Sequence, residues 1–274
     1  MTSWPLPVAS FWAGEDLSFV EQMVIRSYLD QGADFTLYLG HPVGGIPEGV
    51  RIEDAATILP TPGFASDGPG RKQLAVWSDL FRVALLRQRR MIWVDMDAYC
   101  VAPFALRDGY ALGLNNEGTV LSGVMAMPSE SPALSFMANV LSRDRIEPPW
   151  ADEAWLARKR KQDRLGPQDL PWGDTGPRLL GHALRESGEI AHAAPPQVFY
   201  PLFRASLPLL WRPGVPDAMI QHPDTRSVHI FGYTKRYLWT HHRGLPPAGT
   251  WLARAAARHG IDPAQAPAKG EPLA

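Results

Sequence analysis

Two carboxylates close together in the sequence are the first candidates for chemistry. Asp95 and Asp97 directly follow the apolar segment 91–94. Every second side chain of an extended strand points the same way, so the two carboxylates share one side of the backbone. They repel each other unless a cation or a proton lies between them, and their oxygens suit hard cations such as Mn²⁺ and Mg²⁺. The pair therefore indicates a metal site that could bind a diphosphate; the alternative interpretation is a solvated turn.

A second pair of charged residues precedes the acidic pair. Asp79 lies 16 positions before Asp95, and Arg82 lies three positions after Asp79, so the two share one face of a predicted helix. The alternative is an exposed ion pair worth at most about 1 kcal/mol. Further along, Ser122 and Gly123 place small side chains after a predicted turn, which fits either a binding loop or a tightly packed strand.

The third candidate group lies near the C-terminal end of the chain. His229 offers an imidazole for a metal, Gly232 allows close backbone approach, and Lys235 offers a cation for phosphate. The alternative interpretation of this segment is a strand that ends in a loop.

The pattern around these residues predicts an α/β domain. A strand at 7–12, an amphipathic helix at 17–29 and a strand at 35–39 form a βαβ unit, which is typical of a mainly parallel sheet flanked by helices. Further strands are predicted near 57–59, 91–94, 110–114, 120–127 and 227–231, and further helices at 72–89, 133–141, 178–186 and 248–259. The acidic pair then lies beyond the carboxyl end of a strand, where open α/β sheets bind ligands.

The domain organisation follows from changes in composition. Residues 1–260 are expected to form a single domain, interrupted by an irregular excursion at 142–172 that is rich in charged residues, Pro and Trp. Residues 261–274 are rich in Pro and Ala and are expected to form a frayed, flexible tail. The ten Trp residues of the chain could bind sugars by stacking, although burial in the core is the commoner fate of Trp.

Composition excludes several classes of protein. Of the 274 residues 45% are apolar and 20% are charged, and the net charge of −1 argues against broad binding to nucleic acid. The single cysteine excludes an internal disulfide. The first residues lack the pattern of a signal peptide, and no apolar run approaches the roughly 20 residues that span a bilayer. A soluble, cytoplasmic protein is therefore expected, with peripheral contact to a membrane left open.

Together, these motifs resemble those of the retaining glycosyltransferases that carry a DXD motif on the GT-A fold. The segments similar to family 32, which includes glucosylating bacterial toxins and α-1,4-galactosyltransferase-like proteins, are Ser78-Asp-Leu-Phe-Arg82, Trp93-Val-Asp-Met-Asp97, Ala102-Pro-Phe104, Thr175-Gly-Pro177 and Phe199-Tyr-Pro201. The segments similar to family 8 are Ser122-Gly-Val-Met125 and the H-x-x-G-x-x-K pattern from His229 to Lys235. The resemblance spans about residues 8–235.

The resemblance implies a role for each matching residue. It implies that Mn²⁺ or Mg²⁺ binds to Asp95, Asp97 and His229. It places Phe11, Trp12 and Gly14 in the pocket for the base of the nucleotide sugar. It places Gly232 and Lys235 at the phosphates, and the further donor-binding residues that it implies are Asp95, Ser122 and Gly123. The residues expected to contact the donor sugar or the acceptor as catalytic groups are Asp79, Arg82 and Asp174, with a helix N-cap as the alternative role of Asp174.

The function that the resemblance implies is a hexose transfer that retains the anomeric configuration, within polysaccharide biosynthesis. The donor would be a UDP-hexose or, as a second choice, a GDP-hexose, and the acceptor a saccharide or a lipid-linked glycan. Residues 142–172 match no motif of these families and are expected to contribute to the acceptor surface. One alternative is a catalytically silent protein that binds carbohydrate or nucleotide sugar on the same fold. Another is a metal-dependent nucleotidyltransferase or phosphohydrolase, which does not account for Asp79, Arg82 or the motif at His229.

Overall fold

The computed structural model describes residues 4–60 and 70–270, and this part of the chain contains both strands and helices. The strands in this part are β1 (Val8–Trp12), β2 (Phe35–Leu39), β3 (Arg51–Asp54), β4 (Ile92–Val94), β5 (Ala98–Cys100), β6 (Ala111–Leu114), β7 (Val120–Ala126) and β8 (Ser227–His229). The helices are α1 (Phe19–Asp30), α2 (Arg71–Gln88), α3 (Pro132–Leu141), α4 (Glu153–Lys161), α5 (Pro177–Glu186), α6 (Pro196–Phe199), α7 (Phe231–His242) and α8 (Trp251–Arg258).

Six of the strands form one mixed sheet in the order β3-β2-β1-β4-β7-β6. Neighbours from β3 to β4 pair in parallel, whereas β7 runs antiparallel to both β4 and β6. The remaining strands, β5 and β8, form a separate antiparallel pair. The predicted α/β class, with a mainly parallel sheet flanked by helices, is therefore confirmed.

The core lies on both faces of the sheet because β4 points alternate side chains to opposite sides. Ile92 and Val94 pack in one apolar cluster with residues of α1 and α8, and Trp93 packs in the other with residues of α2, α3 and α5. All three side chains are at most 1% exposed, and each such burial stabilises the fold by about 1.5–3 kcal/mol. Strand β4 is thus firmly held, and it delivers Asp95 to the edge of the sheet.

Helix α1 begins at a capping box. Val20 donates its backbone N–H to Ser18 Oγ at 3.3 Å, and the backbone N–H of Ser18 donates to Glu21 Oε2 at 2.9 Å. This reciprocal pairing satisfies donors at the start of the helix that would otherwise lack partners. It places the start of α1, and with it Glu21, just beyond the carboxyl end of β1.

The edge of the sheet differs from the sequence prediction. The strand predicted at 57–59 is wrong: β3 lies at Arg51–Asp54, and a 3₁₀ turn follows over Ala55–Thr57. Asp54 ends the strand, since its Oδ1 accepts a hydrogen bond from Ala56 N at 2.9 Å. Because β3 is exposed over most of its length, it lacks the apolar pattern by which the other strands were recognised.

Two later segments also differ from their predictions. The excursion at 142–172 is not irregular throughout, because it contains α4, whose first turn is capped by Asp152 Oδ1 at 2.8 Å from Trp155 N. The strand predicted at 227–231 ends at His229, and helix α7 begins at Phe231.

The C-terminal segment is packed on the domain as far as residue 270, contrary to the expected fraying. Ala268 is fully buried, and its backbone N–H donates to Gly244 O at 2.9 Å. Phe19 N donates to Ala266 O at 2.6 Å, so this segment also contacts the start of α1. The last four residues of the predicted tail lie outside the described residues.

No helix in the described ranges 4–60 and 70–270 combines the length and apolar character needed to cross a bilayer.

Candidate active site

A cavity of about 910 Å³ opens at the edge of the sheet where β1 and β4 end and β7 begins. Its size falls within the usual range of ligand-binding clefts. The residues of the sequence-predicted site that line it are Phe11, Trp12, Gly14, Asp79, Arg82, Asp95, Asp97, Ser122, Gly123, His229, Gly232 and Lys235. Asp174 does not line it.

The acidic pair meets His229 because of the small β5–β8 pairing. Ala98 of β5 lies opposite His229 of β8, and Ile230 N donates to Asp97 O at 2.7 Å. As a result, Asp95, Asp97 and His229 each offer a ligand atom, and these atoms all lie within 4.8 Å of one another. On the other side, Asp95 N donates to Gly123 O at 2.7 Å, which ties the pair to β7.

The three side chains fit a divalent metal. His229 is only 6% exposed, and its Nδ1 is buried without a hydrogen-bond partner among the described residues. A Cβ atom placed on Gly123 would lie 2.8 Å from this Nδ1 and 3.1 Å from Asp95 Oδ2, so both atoms border the same small space. Two carboxylates and one imidazole, with room left for further ligands, suit an ion such as Mn²⁺.

The charges of His229 and Asp97 stabilise each other. His229 Nε2 lies 3.0 Å from Asp97 Oδ1. Burial raises the pKa of the Asp97 carboxyl, but the charge of His229 and then of Lys235 outweighs burial and holds this pKa below its ordinary value. Burial lowers the pKa of His229, and Asp97 raises it to a net value above the ordinary one. Because a metal binds the neutral imidazole, metal affinity is expected to fall as the pH falls.

Replacement of Gly123 by alanine is expected to weaken Mn²⁺ binding at least about tenfold, a loss that small changes around metal ligands commonly cause. The added Cβ would occupy the space between His229 Nδ1 and Asp95 Oδ2 and push the two groups apart. Calorimetric titration with Mn²⁺ measures the effect. Gly181→Ala in α5 is the matched control, since its Cβ would meet Arg185 only at an ordinary 3.5 Å. Equal Mn²⁺ affinity in the two variants would exclude this metal site.

The second pair, Asp79 and Arg82, is buried, so its interpretation as an exposed ion pair is wrong. Only 7% of the Arg82 side chain and 11% of the Asp79 side chain are exposed. Arg82 Nη2 lies 3.4 Å from Asp79 Oδ1, and Arg82 Nη1 lies 3.2 Å from Asp95 Oδ1. Arg82 Nη1 also donates to Ser122 O at 2.6 Å. The guanidinium therefore links α2, the acidic pair and β7.

Asp79 has a second partner in the segment just before α5. Thr175 Oγ1 donates to Asp79 Oδ2 at 2.7 Å, and a Cβ on Gly176 would lie 2.6 Å from Asp79 Oδ1. Burial raises the pKa of the Asp79 carboxyl, although Arg82 and the hydrogen bond from Thr175 act to lower it. The Thr175-Gly176 segment is thus shaped to hold this carboxylate.

Lys235 reaches the cavity from α7 through a strained turn. Phe231, the first residue of α7, has a φ of +61°, a left-handed conformation that costs a non-glycine residue about 1–3 kcal/mol. Lys235 forms an ion pair with the carboxylate of Glu21, which is 2% exposed. The Lys235 ammonium also lies 5.5 Å from the centre of the Trp12 ring. The strained turn brings the cation to the end of β1.

The residues assigned to the base pocket divide into two kinds. Trp12 is held by a hydrogen bond from Nε1 to Glu15 O at 2.7 Å, and Gly14 leaves room for its ring, since a Cβ there would lie 2.9 Å from Cζ2. Phe11 is 7% exposed and packs 4.4 Å from Trp77, measured between ring centroids. Trp12 and Gly14 therefore form cavity wall, and Phe11 belongs mainly to the core.

Asp174 is not brought together with the other candidates. It is 3% exposed, and its Oδ1 lies 3.1 Å from Arg178 Nη1 one helical turn later. It is not the N-cap of α5 either, because Gly176 occupies that position. Its ionic partner is thus a residue of its own segment, and its side chain does not line the cavity.

Two residues at the cavity were missed by the sequence analysis. Glu21 forms an ion pair with Lys235. The one sequence pattern that marks Glu21 is the capping box from Ser18 to Glu21, which indicates the start of a helix and not a binding site. Trp93 donates from Nε1 to Asp95 Oδ1 at 2.9 Å, and its ring centre lies 4.9 Å from the Arg82 guanidinium. In the sequence, Trp93 belonged to an apolar strand and to the family 32-like segment that ends at Asp97, but it had no predicted role of its own.

Comparison with known proteins gives weak similarities of fold. No family model matches the sequence, and no curated protein matches it. The chain is similar to the PaToxG glycosyltransferase over 69% of its own length and 75% of that chain, with 13% identity and a TM-score of 0.44. It is also similar to the apo form of the glycosyltransferase GlyE of Streptococcus pneumoniae TIGR4. This similarity covers 95% of this chain and 61% of that chain, with 12% identity and a TM-score of 0.46.

A third similarity, to the WbbM bifunctional glycosyltransferase, covers 51% of this chain and 35% of that one, with 9% identity and a TM-score of 0.30. The chain thus spans less than two thirds of the GlyE and WbbM chains. All three TM-scores are below 0.5, so these similarities carry no inference about function.

Proposed function

We propose that this chain is a divalent-metal-dependent glycosyltransferase that moves a hexose from a nucleotide sugar, a UDP-hexose before a GDP-hexose, to a saccharide or lipid-linked acceptor. The observation that supports the proposal is that two groups of charged residues lie next to each other in one cavity. The metal-ligand set, Asp95, Asp97 and His229, adjoins a buried Asp79–Arg82 pair. A metal site alone would fit many phosphate-binding proteins, whereas a second, fixed carboxylate beside it suits the hydroxyls of a sugar.

The residues around the proposed metal are arranged for a diphosphate. When bound, Mn²⁺ or Mg²⁺ would stabilise the charge that develops on the departing diphosphate. Lys235, paired with Glu21 and facing the ring of Trp12, would add a positive charge on the side of β1. Trp12 offers an aromatic wall for the base, and Gly232, the second residue of α7, lines the cavity without a side chain. Fixed charges of this kind stabilise a transition state without reorganisation.

A screen of nucleotide hexoses tests the proposal. We expect one UDP-hexose or one GDP-hexose to release its nucleoside diphosphate slowly, and this release should require Mn²⁺. Binding of the same donor should raise the Tm of the protein. The Asp97→Ala variant serves as the negative control, which gives the release of UDP or GDP that does not depend on the proposed metal site. Mn²⁺-dependent sugar binding without any release would favour the silent binding protein. Release of a nucleoside monophosphate and a sugar phosphate would instead favour a phosphohydrolase.

We also expect the reaction to retain the anomeric configuration, because no carboxylate among the described residues that line the cavity is free to act as a base. An inverting transferase needs a base that deprotonates the acceptor hydroxyl. The carboxylates among the described lining residues are each held by a cation: Glu21 by Lys235, Asp79 and Asp95 by Arg82, and Asp97 by His229. An α-linked donor should therefore give an α-linked product, which the anomeric proton NMR signal of the initial product reveals. A β-linked product would assign the enzyme to the inverting class.

A further inference from the structure

Arg236 is a cation at the candidate active site to which the sequence assigned no role. It lies on α7 and lines the cavity together with Gly232, Tyr233 and Lys235 of the same helix. Its side chain is partly buried, and no carboxylate among the described residues pairs with its guanidinium. Because charges that are withdrawn from water are normally paired, this guanidinium indicates a binding site for an anion.

The other cations that line the cavity have their charges compensated. Arg82 lies within 3.4 Å of two carboxylates of the cavity, and Lys235 forms an ion pair with Glu21. Lys72 is exposed, so its charge is solvated by water. Among the described lining residues, Arg236 is therefore the partly buried cation that is left without a counter-charge.

The guanidinium of Arg236 is accessible through its two terminal nitrogens. Nε is buried and has no hydrogen-bond partner among the described residues, whereas Nη1 and Nη2 are not buried. The stem of the side chain is held in place, since a Cβ on Gly270 would lie 3.2 Å from Arg236 Cγ. The guanidinium carbon lies 5.8 Å from the centre of the Tyr233 ring, and Tyr233 is 43% exposed. The terminal nitrogens are thus offered beside an exposed aromatic ring of the cavity wall.

A diphosphate is the anion that this charge would balance. In the proposed function, the two charges of Mn²⁺ are matched by the carboxylates of Asp95 and Asp97. The charges of Arg82 and Lys235 are matched by carboxylates as well. The negative charge of a nucleotide sugar therefore needs a further cation, and the planar fork of an arginine fits phosphate oxygens.

We propose that Arg236 binds the diphosphate of the nucleotide sugar through Nη1 and Nη2. This assignment rests on the proposed function. It gives the charge that meets the diphosphate to Arg236, whereas Lys235 is held by Glu21. The same contact would stabilise the charge on the nucleoside diphosphate as it departs.

Calorimetric titration of UDP and of GDP with Mn²⁺ present tests the assignment. Arg236→Gln should weaken the binding of both nucleotides by the same factor, about 10- to 100-fold, the value of a hydrogen bond to a charged group. Arg236→Lys should lose less affinity, because it keeps the charge. Arg243→Gln is the matched control and should bind normally, since Arg243 is exposed at the end of the same helix and does not line the cavity.

Three results of the titration would overturn the assignment. The first is unchanged affinity for both nucleotides in Arg236→Gln. The second is a loss for UDP alone or GDP alone, because a contact with the diphosphate does not depend on the base. The third is normal binding of UDP with a lost preference for UDP-glucuronate over UDP-glucose, which would assign Arg236 to a carboxylate of the substrate sugar.

Thermal unfolding separates this role from a structural one. Removal of a partly buried charge that has no partner should not lower the Tm of the ligand-free protein, and it should reduce the rise in Tm that UDP and Mn²⁺ cause. A lower Tm of ligand-free Arg236→Gln would show that the fold needs Arg236 and would overturn the assignment. If the wild-type protein binds neither UDP nor GDP with Mn²⁺, the proposed function itself fails. If it binds them and Arg236→Gln binds them equally well, only the role of Arg236 fails.

Discussion

Replacing Asp97 by alanine is expected to abolish the Mn²⁺-dependent binding of UDP and GDP. Asp97 is one of three groups, with Asp95 and His229, whose ligand atoms lie within 4.8 Å of one another. Loss of a partner outside the coordination shell already weakens metal binding about 10- to 100-fold. Loss of a ligand is therefore expected to cost at least about 100-fold, measured by calorimetric titration of each nucleotide with and without Mn²⁺.

The fold should survive this change. The mutation removes the repulsion between Asp97 and Asp95, although it also removes the partner of His229 at 3.0 Å. Asp224→Ala is the matched control, because its side chain is 63% exposed and lies outside the cavity lining. Unchanged affinity for both nucleotides in Asp97→Ala, with Mn²⁺ present, would show that the acidic pair does not bind a metal–nucleotide complex.

Replacing Arg82 by alanine is expected to lower the free energy of unfolding by about 3–5 kcal/mol, because it leaves buried carboxylates without their cation. Arg82 contacts Asp79 at 3.4 Å, Asp95 at 3.2 Å and Ser122 O at 2.6 Å. Urea unfolding measures the loss. Arg145→Ala, which removes a pair that is 50% and 84% exposed, should leave the stability nearly unchanged. Equal stability of the two variants would contradict the buried position of Arg82.

Asp79→Asn separates the role of this pair in transfer from its role in the fold. The amide keeps the shape of the side chain and can still accept the hydrogen bond from Thr175 Oγ1. We expect the variant to stay folded and to bind free UDP or GDP with Mn²⁺ nearly normally. Transfer should fall at least about 100-fold, since the carboxylate that would hold the donor sugar is lost. Normal turnover in Asp79→Asn would reduce the Asp79–Arg82 pair to a structural role.

Sequence patterns predicted the elements that carry a strong apolar pattern, either a buried strand or an amphipathic helix. The unit β1-α1-β2, helix α2 and strand β4 lie where the apolar content of the strands and the helical spacing placed them, within one or two residues. Such elements are predictable because the 2- and 3.6-residue periods are local properties of the chain. The exposed strand β3 and the three-residue strand β5 carry no such period, so they were missed or misplaced.

Helix α7 was not predicted from the sequence, for a different reason. Its start depends on Phe231 in a left-handed conformation, which sequence rules assign to glycine. The segment therefore resembled the end of a strand, although it is a strand of three residues followed by a helix. The surrounding structure stabilises this strained residue, so no local pattern announces it.

The sequence by itself determined the residue types of the site and the position of Asp95 and Asp97 at the end of a buried strand. Only the tertiary structure decided that Asp79 and Arg82 are buried, that Lys235 pairs with Glu21, and that Asp174 stays apart. Pairing of β5 with β8, between segments distant in the chain, is what brings His229 to Asp97. Local propensity is encoded within a few residues, whereas burial and long-range pairing depend on how the whole chain packs.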